Sequence, residues 1–156
     1  MDFNIIDLNK IIIEKSIKNS YEVKYNNYNI DFWTPTLFIP FGVDKKFNNY
    51  FLNCQINSNE LFIHFIESLE NKFVELLKIS KNELNSQLRS NDNILYTKFL
   101  QRNNKIISSI KNNNTNLTIY NIEKKCDCKI RLSINKIWQI NNIYYYKFII
   151  KELIIY

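Results

Sequence analysis

Both prolines and the only glycine of this chain fall within ten residues, Thr34-Pro35-Thr36-Leu37-Phe38-Ile39-Pro40-Phe41-Gly42-Val43. Proline fixes φ and removes a backbone donor, and glycine opens left-handed backbone that is costly for other residues. The spacing predicts a short extended segment, Leu37 to Ile39, between two forced bends. Elsewhere the 156-residue chain must turn without either residue. Asparagine tolerates positive φ, and Asn26-Asn27 and Asn141-Asn142 can make such turns.

Asparagine is abundant because the whole composition is skewed. Asn, Ile, Lys, Phe and Tyr supply 92 of 156 residues, and alanine is absent. All five have AT-rich codons, and the same bias explains why 18 of the 21 basic residues are lysine. The net charge of +6 and pI of about 9.1 favour polyanionic partners. Codon drift alone would produce the same surplus, so the placement of the lysines must decide what it means.

Several function classes find no support. Cys126 and Cys128 form a Cys-x-Cys pair, but only Cys54 and His64 remain to complete a zinc set. No metal or cofactor is expected. An odd cysteine count and no recognisable signal peptide point to reduced thiols in a cytosol-like compartment. No apolar run approaches the ~18 to 20 residues of a membrane span. A Ser-His-Asp arrangement would have to use His64, which lies in a helical pattern without a nucleophile motif. One glycine cannot build a phosphate-cradling loop. Glu67 and Glu70 read as part of a solvated helix face.

The pattern along the chain is mostly β. Residues Ile5 to Ile17 are apolar with mixed period. Tyr21 to Tyr25 alternates as a half-buried strand, Asn26-Asn27 suits a tight turn, and Tyr28 to Trp33 reads as the returning strand. Asp44-Lys45-Lys46 reads as a turn and Tyr50 to Ile56 as a strand. Phe62, Phe65, Ile66, Leu69, Phe73, Leu76 and Leu77 recur at helical spacing, predicting one amphipathic helix over about 59–79. Strands are expected at Leu95–Leu100, Lys105–Ile110 and Leu117–Ile122, with a polar loop over Lys111–Asn116. From Cys126 to Ile134, Cys, Cys, Ile, Leu and Ile occupy the even positions, and Asp127, Lys129, Arg131 and Ser133 the odd ones. That is a strand with one apolar face. Ile137-Trp138 breaks the phase, as a bulge or a bend would. Asn141-Asn142 turns the chain into a long final strand, Tyr144 to Tyr156. So many antiparallel strands around one helix predict a small closed barrel in one domain, 1–156, with residues 1–19 peripheral. Closure removes exposed strand edges.

The informative chemistry is the mixture of rings and bases on strands. In Tyr144 to Lys151 one face carries Tyr145, Lys147 and Lys151, and the other Tyr144, Tyr146, Phe148 and Ile150. Lys129 and Arg131 point away from the apolar side of the preceding strand. Cations neutralise phosphates and rings stack on unpaired bases, so such a surface suits single-stranded nucleic acid. The same pattern fits a sheet whose tyrosines are core and whose lysines keep it soluble. It also fits a non-enzymatic adaptor or structural protein that binds an acidic protein partner through a basic sheet face.

The order of motifs resembles the single-stranded DNA-binding proteins of nucleocytoplasmic large DNA viruses, a branch akin to a short-tailed phage type. The likeness runs from about residue 20 to 156. It rests on Thr34-Pro35 to Pro40-Phe41-Gly42-Val43, the strand Tyr50–Ile56, the helix with Phe65 and Leu69-Glu70, Leu95-Tyr96-Thr97-Lys98, and the Ile137-Trp138 strand pair. The resemblance implies a mainly β, OB-fold-like barrel that protects single-stranded DNA in viral replication, recombination or repair, in the host cytoplasm, viral factory or nucleus. Viral replication proteins are implied partners. Glu70 stands where the family usually has aspartate. The sequence ends Lys151-Glu152-Leu153-Ile154-Ile155-Tyr156, where the phage type carries an acidic tail, so recruitment through such a tail is not expected. The candidate nucleic-acid-binding residues are Trp33, Lys98, Arg102, Lys129, Arg131, Trp138, Tyr145, Lys147 and Lys151, expected to line one open channel.

Overall fold

The computed structural model describes residues 1–156, and its backbone follows the proline pattern closely. Strand β3 (Ile30–Trp33) stops before Pro35, and β4 (Leu37–Ile39) fits between the two prolines. Both lie along β13 (Cys126–Ile134), with Arg131 opposite Trp33 and Cys128 opposite Leu37. They therefore form one barrel strand interrupted at Pro35, which cannot donate. Thr34 bridges the gap. Its N–H donates to the Ile130 carbonyl at 2.8 Å, and its hydroxyl accepts from the Ile130 N–H at 3.0 Å.

In chain order, β1 (Ile11–Lys15) and β2 (Ser20–Tyr25) precede β3, and β5 (Val43–Lys46) and β6 (Asn49–Gln55) follow β4. The helix α1 (Glu60–Leu77) leads to β7 (Leu88–Arg89) and β8 (Ile94–Phe99). Two small hairpins come next: β9 (Gln101–Arg102) with β10 (Lys105–Ile106), and β11 (Ser109–Asn112) with β12 (Thr115–Asn116). After β13 come β14 (Lys136–Ile140), β15 (Ile143–Tyr146) and β16 (Phe148–Ile155).

Five wall strands close on themselves. β4 pairs β6, β6 pairs β8, β8 runs parallel to β16, and β16 returns antiparallel to β13. Counting β3/β4 as the first wall strand, the spatial order is first, second, third, fifth, fourth. This is the Greek-key closure of an OB-fold-like barrel. A second sheet, β1-β2-β14-β15, flanks it.

The interior is set by period-two alternation. Leu52 and Cys54, Leu95, Thr97 and Phe99, Cys128 through Ile134 at even positions, and Phe148 and Ile150 are all buried. Thr97, the polar member, donates its hydroxyl to the Leu52 carbonyl. Cys54 and Cys128 meet as free thiols in this core, and their contact and burial push the Cys54 thiol well up from its ordinary value. Asn59 caps α1 by accepting from the Phe62 N–H at 2.9 Å. The buried helix face supplies Phe62, Phe65, Ile66, Leu69 and Phe73. Phe65 meets Phe32 edge-on at 5.2 Å between ring centres, and Phe73 meets Tyr146 at 5.3 Å. Phe3 packs on Phe62 at 4.9 Å. No helix is long and apolar enough to cross a membrane.

The structure corrects several local readings. Tyr28–Trp33 does not return along β2. After the Tyr25–Tyr28 bridge, β3 leaves for β13, where Phe32 can be buried. Asp44-Lys45-Lys46 belongs to strand β5, and the turn is Phe47-Asn48. Lys105–Ile110 splits between β10 and β11, and the Lys111–Asn116 loop is a tight hairpin. Leu117–Ile122 contains a single 3-10 turn, Ile119–Asn121, capped by Thr118. The phase break before Ile137 is a change of sheet, from the barrel to the flanking layer. The long final strand is broken at Lys147, and a register shift in its second half skips Lys151 opposite the Arg131–Leu132 step. Glu70 is not on a solvated face but is buried.

Five two-residue turns have both residues at positive φ: Asn26-Asn27, Phe47-Asn48, Asn103-Asn104, Asn113-Asn114 and Asn141-Asn142. Four are Asn-Asn, of which Asn26-Asn27 and Asn141-Asn142 were expected from the sequence; asparagine takes left-handed backbone where other residues are strained. The fifth places a phenylalanine at φ 49°.

Candidate nucleic-acid interface

Because Leu52 and Cys54 face inward, their neighbours Phe51 and Asn53 face out, as do Tyr96 and Lys98 on β8. Register sets Phe51 opposite Lys98 and Asn53 opposite Tyr96. On the next strand Ile149 lies beside Lys98, and Lys147 precedes it in the β15–β16 break. Asp44, Lys46, Phe51, Asn53, Tyr96 and Lys147 line a cleft of about 300 Å³ on this face. It combines two rings, amide groups and cations. Its one carboxylate, Asp44, already lies 3.5 Å from Lys46, so Lys147 supplies the surplus charge in the cleft, with Lys98 beside it on the same face opposite Phe51.

Lys147 is held in place from behind. Glu70 accepts from the Tyr146 hydroxyl at 2.6 Å, the Ser86 hydroxyl at 2.8 Å and the Gln87 N–H at 3.0 Å. This fixes the segment before β7, and Gln87 then presents its side-chain oxygen to Lys147 Nζ at 3.1 Å. Partial burial, and to a lesser degree Lys98, pull the Lys147 pKa below its ordinary 10.5. No carboxylate offsets that cost. Burial, with Glu70 nearby, pushes the Tyr146 phenol well up.

The nine expected residues do not share one channel. Lys98 and Lys147 stand together on the β6/β8/β16 wall. Trp33, Lys129 and Arg131 lie on β3 and β13, elsewhere around the barrel. There Arg131 donates to Asp31 at 2.7 and 3.1 Å and to Glu152 at 3.0 Å. These carboxylates raise its pKa, Asp31 more than Glu152. Lys129 Nζ lies 5.9 Å from the Trp33 ring centre and 3.8 Å from Asp2. Trp138 and Tyr145 face each other across the β14–β15 hairpin, stacked at 6.1 Å and 19°. Lys151 is the skipped residue of β16, and Glu152 takes the outward phase after it. Arg102 sits in the β9–β10 hairpin, which Gln101 ties to the Phe47-Asn48 turn through the Tyr50 N–H (3.0 Å) and the Asn48 carbonyl (2.8 Å). His64 is exposed on α1.

Phe51, Asn53, Tyr96 and Phe47 were missed. Alternation marks Phe51 and Tyr96 as outward, but only strand order shows that they share a face. Phe47 is 98% exposed at the tip of the β5–β6 hairpin. Its signal in the sequence was a turn doublet in which Phe replaces the first Asn.

No protein-family model matches the sequence, and no curated protein matches it. Solved structures do resemble the fold. The single-stranded DNA-binding protein from bacteriophage Enc34 is 12% identical, with a TM-score of 0.58 over 94% of this chain and 89% of that one. The same phage protein in complex with single-stranded DNA gives 10% identity and a TM-score of 0.55, covering 94% and 95%. At such identities the likeness establishes a shared fold.

Proposed function

We propose that this chain binds single-stranded DNA with little base preference through the β6/β8 face. The observation that carries the reading is the grouping of Phe51 and Tyr96 with Lys98 and Lys147 on the second and third wall strands. Those strands and the loops joining first to second and fourth to fifth form the oligonucleotide-binding region of OB folds. Here the first loop is the β5–β6 hairpin with Phe47 at its tip, and the second is the β14–β15 hairpin with the Trp138–Tyr145 stack. Rings take base faces and lysines take phosphates. The phage protein of the same fold, solved with single-stranded DNA, supports the ligand. The sequence motifs support a place among the nucleocytoplasmic large DNA virus proteins, with protection of DNA during replication, recombination or repair in the infected cell as the role.

The test is fluorescence anisotropy of labelled oligothymidine at two salt concentrations, with duplex DNA and RNA as competitors. The logarithm of affinity should fall with the logarithm of salt, with a slope of about 0.7 per phosphate neutralised. Affinity independent of salt, or equal competition by duplex DNA, would reject the reading.

A further inference from the structure

The β5–β6 hairpin has a second face. In an antiparallel pair, opposed residues share a side, so Asp44 and Phe51 face the cleft described above while Lys45 and Tyr50 face the other way. That reverse side forms one wall of a separate cleft of about 440 Å³, whose far wall is Ile119, Tyr120, Ile122 and Lys124. Phe41 and Tyr120 stand in it 64% and 83% exposed. Lys45 lies 5.4 Å from the Tyr50 ring centre, Lys124 is the second cation, and no carboxylate lines the cleft. Gly42, at φ 79°, makes the bend that presents Phe41, and a Cβ there would come within 3.3 Å of the Lys124 side chain. The only glycine thus permits both the turn and the approach of the lysine.

We propose that a single strand bound on the β6/β8 face crosses the edge strand β5 and continues into this second cleft, where Phe41 and Tyr120 stack on bases and Lys45 and Lys124 neutralise phosphates. The inference rests on the function proposed above and extends its site. Three features favour nucleic acid over a protein partner. Exposed Phe41 and Tyr120 share a cleft with two lysines rather than standing on a flat, charge-free apolar patch. The charge in the cleft has one sign. The path is continuous, because β5 pairs only with β6 and its Lys45 and Lys46 point to alternate sides of the free edge.

The experiment compares the unaltered chain with a Phe41→Ala, Tyr120→Ala double variant on two oligothymidines. One is about six nucleotides, enough for one face, and the other about sixteen, enough for both. The unaltered chain should bind the longer oligomer more tightly. The double variant should lose about tenfold on the longer oligomer and keep its affinity for the shorter. Both positions are exposed, so the fold survives, as circular dichroism will check. A Lys124→Glu variant should show the same length-selective loss. Unchanged affinity for both oligomers, or equal loss on both, overturns the second cleft while leaving the first face standing. If the unaltered chain binds neither oligomer, both proposals fall together.

Discussion

The β6/β8 wall and the β3/β13 wall both pair rings with cations, yet they use them differently. On β3/β13, Arg131 is clamped between Asp31 and Glu152, and Lys129 leans on Trp33 and Asp2. The charge is spent inside the protein. On β6/β8, Lys98 has no carboxylate partner, and Lys147 is held by a neutral amide in a setting that disfavours its own charge. An anion arriving there relieves a cost the fold already carries. Composition treats these lysines and arginines alike, and only their partners tell them apart.

Reversing charge on each wall gives the widest separation. Lys98→Glu with Lys147→Glu should weaken oligothymidine binding on the order of a hundredfold at low salt, with a smaller loss at high salt. Lys129→Glu should change it little. Equal losses would erase the distinction between the walls.

Truncating rings comes next. Phe51→Ala and Tyr96→Ala should each cost about tenfold in affinity, within the roughly 1 to 3 kcal/mol that stacking supplies per base. Trp33→Ala should leave affinity unchanged. Titration calorimetry on all three decides it.

Much of this was legible in the sequence. Prolines bracket β4, the alternation of Cys126–Ile134 gives β13 its faces, Lys147 was picked out by its face of the final strand, and Lys98 by the family resemblance. What the sequence hid is pairing at long range. Asp31 and Arg131 are 100 residues apart, so nothing local says that the arginine is already neutralised. Phe51 and Tyr96 meet only because β6 pairs β8. A helix glutamate read as solvated turned out to anchor Gln87, because Tyr146, Ser86 and Gln87 deliver three donors to it from outside the helix.

Arg131→Ala sharpens the contrast from the other side. It leaves Asp31 and Glu152 facing each other across the gap. The guanidinium is partly solvated, so the loss in unfolding free energy should be about 1 kcal/mol, with no loss of DNA affinity. A drop in affinity without a drop in stability would place Arg131 at the interface.

Lys147 also predicts a pH signature. Its folded pKa lies below 10.5, so its charge costs stability at neutral pH, and that cost fades as pH rises from the lowered value through 10.5. Binding needs the charged form. Affinity should therefore decline by a few fold as pH climbs toward 10.5, earlier than an ordinary lysine would impose. Lys147→Arg should flatten the decline, because a guanidinium stays charged. Parallel profiles for the two proteins would remove Lys147 from the contact.

The smallest effect concerns the two kinds of turn. Four doublets are Asn-Asn, and the β5–β6 tip alone is Phe47-Asn48. A bulky residue is strained in left-handed backbone where asparagine is tolerated, and a ring 98% exposed gains no burial in return. Phe47→Asn should thus raise stability by about 0.5 to 1 kcal/mol. If the ring meets bases as they cross the hairpin, the same change should lower affinity by about threefold, below a full stack because nothing backs the ring. Thermal melts and anisotropy on one variant read both numbers. A gain in stability with unchanged affinity would show that the phenylalanine serves something other than DNA, and a loss of stability would show that the turn holds its ring for packing after all.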